Sequence, residues 1–118
     1  MNTAYLAVTL SAIVANGFSG TAALLHFKPI LPGMAKAGVP VSWLTFPIGT
    51  LKTAGAIGLA AGLELRQLGI AAAIGLVLFF VCAIYTHIRA NDYGAQFVLA
   101  NCFLALNVAA LAVALPVG

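Results

Sequence analysis

Residues 43–63, WLTFPIGTLKTAGAIGLAAGL, form an apolar run about as long as the ~20 residues a membrane-spanning helix needs. The run carries one charge, Lys52, near its middle. A lysine at the centre of a span costs roughly 2.5–3.5 kcal/mol on insertion scales, so it persists only where it faces protein or water. Gly49, Gly55, Gly58 and Gly62 stand at helical spacing around it and leave that side of the helix nearly bare of side chain. So small a ridge packs against another helix rather than against lipid. Lys52 is therefore expected to point into a helix bundle, where some other group pairs or solvates it.

The rest of the chain repeats the apolar theme. Of 118 residues, 64% are hydrophobic and 6% charged, and the mean hydropathy is +1.14. A water-soluble domain of this length has no interior able to hide that much apolar surface, so lipid must cover it. The length fits one domain. The formal charge of +3 comes from scattered side chains, which excludes a nucleic-acid footprint and fits a juxtamembrane bias.

Three further runs are long enough to cross a bilayer, at about 3–25, 68–88 and 95–115, with 43–63 as the second of four. The fold expected is all-α, an integral membrane four-helix bundle with a longer loop between helices 1 and 2. The first run has no basic n-region and reads as a span, not as a cleavable signal. Steps of three, four and seven put Tyr5, Ala12, Asn16, Gly20 and Ala23 on one small or polar stripe that should look inward. Leu6, Ile13, Val14 and Phe18 fall on the other faces and should meet lipid. In the loop, Pro29, Pro32, Pro40, Gly33 and Gly38 exclude a continuous helix over 26–41. Its Phe27, Ile30, Leu31 and Met34 suggest a segment at the interface or dipping back into the bundle, as a lid or an anchored turn. Pro47 is expected in the first turn of the second span or as a kink near its start. Asn91, Asp92, Tyr93 and Gly94 mark a break before the last span, which Pro116 should end.

Four crossings put the termini on one side and both the long loop and the Asp92 turn on the other. Lys28, Lys36 and Arg89 lie on that second side, and Arg66 on the first. The positive-inside rule then turns the Asp92 end to the cytoplasm and the termini outward across the cell membrane.

Nearly every ionisable group gathers at that one end. His26 comes from the end of the first span, Lys52 from the second, Tyr85, His87, Arg89 and Asp92 from the end of the third, and Asn101 from the start of the fourth. Asn16 is the one strongly polar residue inside the first span, and Asn107 lies mid-way along the last. Asparagines placed like Asn16 and Asn101 most often link helices by hydrogen bonds. Cys82 and Cys102 match neither a metal pattern nor a Cys-x-x-Cys pair. They lie equally far either side of the Asp92 turn and so should match in depth, where contact or plain packing are both open. No residues have metal-ligand spacing and no cofactor motif is present.

Two chemistries suit the gathered groups. One is binding of an amphipathic molecule, lipid-, terpenoid- or quinone-like, through hydrogen-bond donors and a cation. The other is acid/base work on such a molecule, for example isomerisation, epoxide opening or cyclisation. In the second, His87 and Asp92 act as acid and base and Lys52 or Arg89 stabilises developing negative charge, while His26, Asn16, Asn101 and Tyr85 help hold the substrate. An alternative is a non-catalytic subunit, whose ridge of Gly55, Gly58 and Gly62 docks another helix or a second copy.

Short motifs in order along nearly the whole chain carry a resemblance. They are Leu25-His26-Phe27 closing the first span and Pro32-Gly33-Met34-Ala35-Lys36 with Gly38-Val39-Pro40 in the loop. Pro47, then Lys52-x-x-Gly55-Ala56, follow in the second span, and His87-x-Arg89 with Asp92 closes the third. The chain resembles the DoxX-like proteins. The resemblance implies a four-helix bundle in the cytoplasmic membrane, with relatives that include subunits associated with thiosulfate–quinone or thiol redox complexes. It implies no catalytic residue, and the lack of a Cys-x-x-Cys speaks against dithiol chemistry in this chain.

Overall fold

A computed structural model describes residues 3–115. Four helices in it are long and apolar enough to cross a membrane. They are α1 (Thr3–Leu24), the span Val41–Ala61 whose regular part is α3 (Thr50–Ala61), α4 (Arg66–Arg89) and α5 (Ala95–Ala114); a short helix, α2 (Leu31–Ala37), precedes the second span. The helices close a ring: α1 packs on α3 and α5, and α4 packs on the same two. The longest dimension, 43 Å, matches a hydrocarbon core of about 30 Å with its headgroup margins.

Packing follows the small residues. The buried side of α1 is Tyr5, Thr9, Ala12, Asn16, Gly20 and Ala23, the stripe expected from spacing with Thr9 added. Val14 and Phe18 on the opposite side are 69% and 73% exposed. Ile13 departs from the expected lipid face and lies half-buried against the core formed around Leu59, Leu76 and Phe80, because its position borders the inward stripe. The α3 glycines meet α4. A methyl group on Gly55 would fall 2.6 Å from Leu76 Cδ2, and one on Gly58 would fall 2.7 Å from Ala72 Cβ. Gly62 faces Gly69 backbone to backbone. The ridge is thus filled by this chain's own α4, and a second copy docking there would have to displace that helix.

Three helices end in one way. His26, Gly38 and Asn91 each adopt a left-handed conformation, with φ of 52°, 72° and 55°. In each case the next residue's N–H reaches back to a carbonyl of the last turn: Phe27 to Ala22, Val39 to Met34 and Asp92 to His87. This double closure satisfies end carbonyls that would otherwise lack donors. Glycine and asparagine tolerate the left-handed region readily.

The connection 26–41 is more helical than its prolines suggest. It holds a 3-10 turn at Lys28–Ile30 and then α2. Pro32 stands in the first turn of α2, where its missing N–H leaves no intrahelical bond unmade, and Gly38 ends the helix. Met34 then packs with Ala23 and Leu44 in a second, smaller core at this end of the bundle. The second span is broken as well. Phe46 is extended (φ −145°, ψ 132°) just before Pro47, and regular helix resumes at Thr50. Pro47 therefore marks a kink rather than a first turn. α5 ends at Ala114, and Pro116, expected to end it, lies outside the described residues.

Candidate functional site

The kink places Lys52 in the first turn of regular α3, beside α1. Gly20 makes the approach possible, since a methyl group there would lie 3.0 Å from Lys52 Cβ. The lysine stem runs along α1 and its Nζ donates to Ser19 Oγ at 2.9 Å. Three rings surround the ammonium group, with centroids at 5.3 Å (Phe80), 5.6 Å (Phe79) and 5.8 Å (Phe103). Phe79 and Phe80 stand edge to face at 5.0 Å, so their faces are turned differently about the same cation. A desolvated cation over an aromatic face gains about 2 kcal/mol or more. That is comparable with the roughly 2.5–3.5 kcal/mol that a mid-span lysine costs. The cage explains how the charge is tolerated, yet no carboxylate lies within ion-pair distance of it among the described residues.

Lys52 forms part of the wall of a partly open cavity of about 800 Å³. Every helix contributes to that wall, for example Ala23, Met34, Leu51, Phe80 and Leu99. It is mainly apolar. Its polar members are Ser19, Lys52, Thr86, His87 and Gln96, together with the thiol of Cys82. This size and composition lie within the range of small-molecule sites, roughly 300–1,000 Å³ with a few polar groups on an apolar wall.

His87 reaches the cavity from the last turn of α4. The helix ending builds its partner: the left-handed Asn91 turns the chain so that Asp92 faces back across that turn. His87 Nδ1 and Asp92 Oδ2 are 2.8 Å apart, with side chains 12% and 5% exposed. Asp92 Oδ1 accepts the Gly94 N–H at 3.1 Å. Burial alone would push the Asp92 carboxyl up, but the Gly94 N–H, the bond to His87 and the nearby charges of His87 and Lys36 outweigh it. The net result lies below the ordinary 3.8. An ionised Asp92 holds a hydrogen on Nδ1, which in the neutral ring leaves Nε2 as the accepting nitrogen.

The remaining candidate residues lie elsewhere. Asn16 and Asn107, both 0% exposed, pair reciprocally in the middle of the bundle: Asn16 Nδ2 donates to Asn107 Oδ1 at 2.9 Å, and Asn107 Nδ2 to Asn16 Oδ1 at 3.3 Å. Each also donates to its own helix, at Ala12 and Phe103. Neither borders the cavity. His26 Nε2 lies 3.1 Å from Thr45 Oγ1 and ties the end of α1 to the kinked entry of the second span. Asn101 is exposed and donates to Phe97 O at 2.9 Å. Tyr85 and Arg89 are exposed on the outer side of α4. Cys82 and Cys102 are both free and exposed. Among the described residues no cluster of histidine, cysteine or carboxylate side chains has the makings of a metal site.

Sequence reasoning did not single out Ser19, the three phenylalanines or Gly75 as parts of the site. Phe79 and Phe80 were visible as an aromatic pair in the third span, but nothing local distinguishes a ring facing lipid from one facing a lysine on another helix. Ser19 precedes Gly20 on the inward side of α1, and that adjacency was the available signal.

Comparison with characterised proteins and with solved structures gives no match. A family model described as the DoxX-like family matches residues 7–115. With four helices of spanning length and composition, the protein is a small multi-pass membrane protein, and the chain belongs to the DoxX-like family.

Proposed function

We propose that this protein binds a hydrophobic small molecule with a polar end, of lipid-, terpenoid- or quinone-like character, in the cavity walled by all five helices. The observation that carries the reading is the cavity itself, about 800 Å³ of mainly apolar wall into which a lysine is set without a carboxylate partner among the described residues. The apolar wall takes the body of the molecule and Lys52 meets its polar end. The His87–Asp92 pair supports acid/base chemistry on the bound molecule. Nε2 of His87 takes a proton from one carbon and returns it to another, as in a double-bond shift that needs no co-reactant. Lys52 stabilises negative charge developing on an oxygen during that shift. The alternative, a helix-docking subunit working through the α3 glycines, finds that ridge already filled by α4.

The protein sits, in this reading, in the cell membrane with the cavity end toward the cytoplasm, since Lys28, Lys36 and Arg89 lie at that end.

Gly75 provides the test. It borders the cavity, and a methyl group there would meet nothing within 4 Å. Gly75→Leu should fill the space without disturbing the bundle. The single tryptophan, Trp43, also borders the cavity and reports occupancy by its emission. Titration of the purified protein with a panel of lipophilic probes should change Trp43 emission saturably, and Gly75→Leu should weaken that response by about tenfold or more. An unchanged response in the variant, with helix content intact, would remove the cavity as the binding site.

A further inference from the structure

Resting on the binding reading above, the geometry points to a carboxylate as the polar end of the ligand: we propose that the cavity takes a single-chain, long-chain carboxylic acid as its anion. Lys52 Nζ and Ser19 Oγ stand side by side at 2.9 Å, with the hydroxyl accepting from the ammonium. That bond uses one of the three ammonium hydrogens and leaves the Ser19 hydroxyl hydrogen free to donate outward. The two groups therefore present adjacent donors at the cavity wall, a match for the two oxygens of one carboxylate. A quinone or ester carbonyl offers a single oxygen and uses only one of them.

Charge argues the same way. The ammonium has aromatic faces around it but no carboxylate from the described protein. The rings stabilise the cation without neutralising it, so a monoanion entering the cavity completes the pair where water is scarce and charge-assisted hydrogen bonds are strong. No arginine borders the cavity, and arginine is the side chain best suited to a phosphate's several oxygens. Leu51, Leu78, Phe79 and Leu99, on the same wall, suit an alkyl chain.

The experiment compares a brominated long-chain fatty acid with its methyl ester as quenchers of Trp43, using purified protein in micelles of a neutral detergent. Wild type, Lys52→Met, Lys52→Arg and Gly75→Leu are measured together, with helix content checked by circular dichroism. Wild type should bind the acid roughly 10- to 100-fold more tightly than the ester, the worth of a hydrogen bond to a charged group. Lys52→Met should abolish that preference while still binding the ester, and Lys52→Arg should recover part of it. Equal quenching by acid and ester in wild type would overturn the carboxylate assignment and leave the cavity reading standing. A preference for the acid that survives in Lys52→Met would equally overturn it. Quenching by both compounds that is the same in wild type and Gly75→Leu would overturn the cavity reading and this inference with it.

Discussion

Residue by residue, the polar pairs Asn16–Asn107 and His87–Asp92 are closed among themselves, whereas the charge of Lys52 is not matched by a carboxylate among the described residues. Asn16 and Asn107 form a closed pair, each amide serving the other and its own helix. Asn16→Ala leaves the Asn107 amide short of a partner, and interhelical hydrogen bonds in membranes are worth about 0.6 kcal/mol on average and up to about 1.7. Thermal unfolding in detergent should show Asn16→Ala and Asn107→Ala each destabilising by about that much. The double variant should cost less than the sum, because the singles remove the same bond. The His87–Asp92 pair is closed in another sense, since it also fastens the turn after α4. Its carboxyl sits below the ordinary 3.8 in the folded protein. Its contribution is therefore full above about pH 4, the unfolded carboxylate value, and is lost as pH falls through the lowered one. Protection of the amides in the 90–94 turn, relative to their intrinsic exchange rates, should fall on acidification below about pH 4 in wild type, and in Asp92→Asn it should be flat through the same window. Lys52 is the exception, caged by rings but unmatched in charge.

Among elements, α3 decides the arrangement. Its glycines set the distance to α4 on one side, and Gly20 of α1 sets the distance on the other. Gly58→Leu should destabilise the bundle by 1–3 kcal/mol, the usual cost of overpacking. Gly75→Leu, on the open side of α4, should leave stability unchanged or raise it, since leucine favours helix over glycine by up to about 1 kcal/mol. A side-by-side melt of the two variants checks this. These elements also show how much was readable beforehand. The inward stripe of α1 and the small side of α3 follow from 3.6-residue periodicity, which is a local property. The helix within 26–41 was hidden because proline reads as a breaker, although Pro32 falls in a first turn where it is harmless. The break at Phe46 was legible only as a proline nearby. The aromatic cage was not legible, because it joins side chains of three helices whose rotation is fixed by packing and not by any local pattern. The sequence places His87 and Asp92 at one end of the bundle, but their direct contact is not legible there, because it depends on a left-handed Asn91 that folds the chain back.

At the scale of the whole molecule, a four-membered ring of helices leaves most apolar side chains facing outward, as lipid allows, and keeps one end open. That open end gathers Lys52, His87 and Asp92. The opposite end is closed by Tyr5, which donates to Gly62 O at 3.3 Å beneath the Arg66 guanidinium. A molecule dissolved in the bilayer thus meets a mainly apolar wall whose few polar members include one cation, Lys52, and one histidine, His87. The most direct measurement is native mass spectrometry of protein extracted gently from its own membrane. The account predicts that wild type retains a bound lipid-like acid, that Lys52→Met loses it, and that Gly75→Leu loses it without losing its fold. Wild type released without any such adduct, or the same adduct retained by Gly75→Leu, would contradict it.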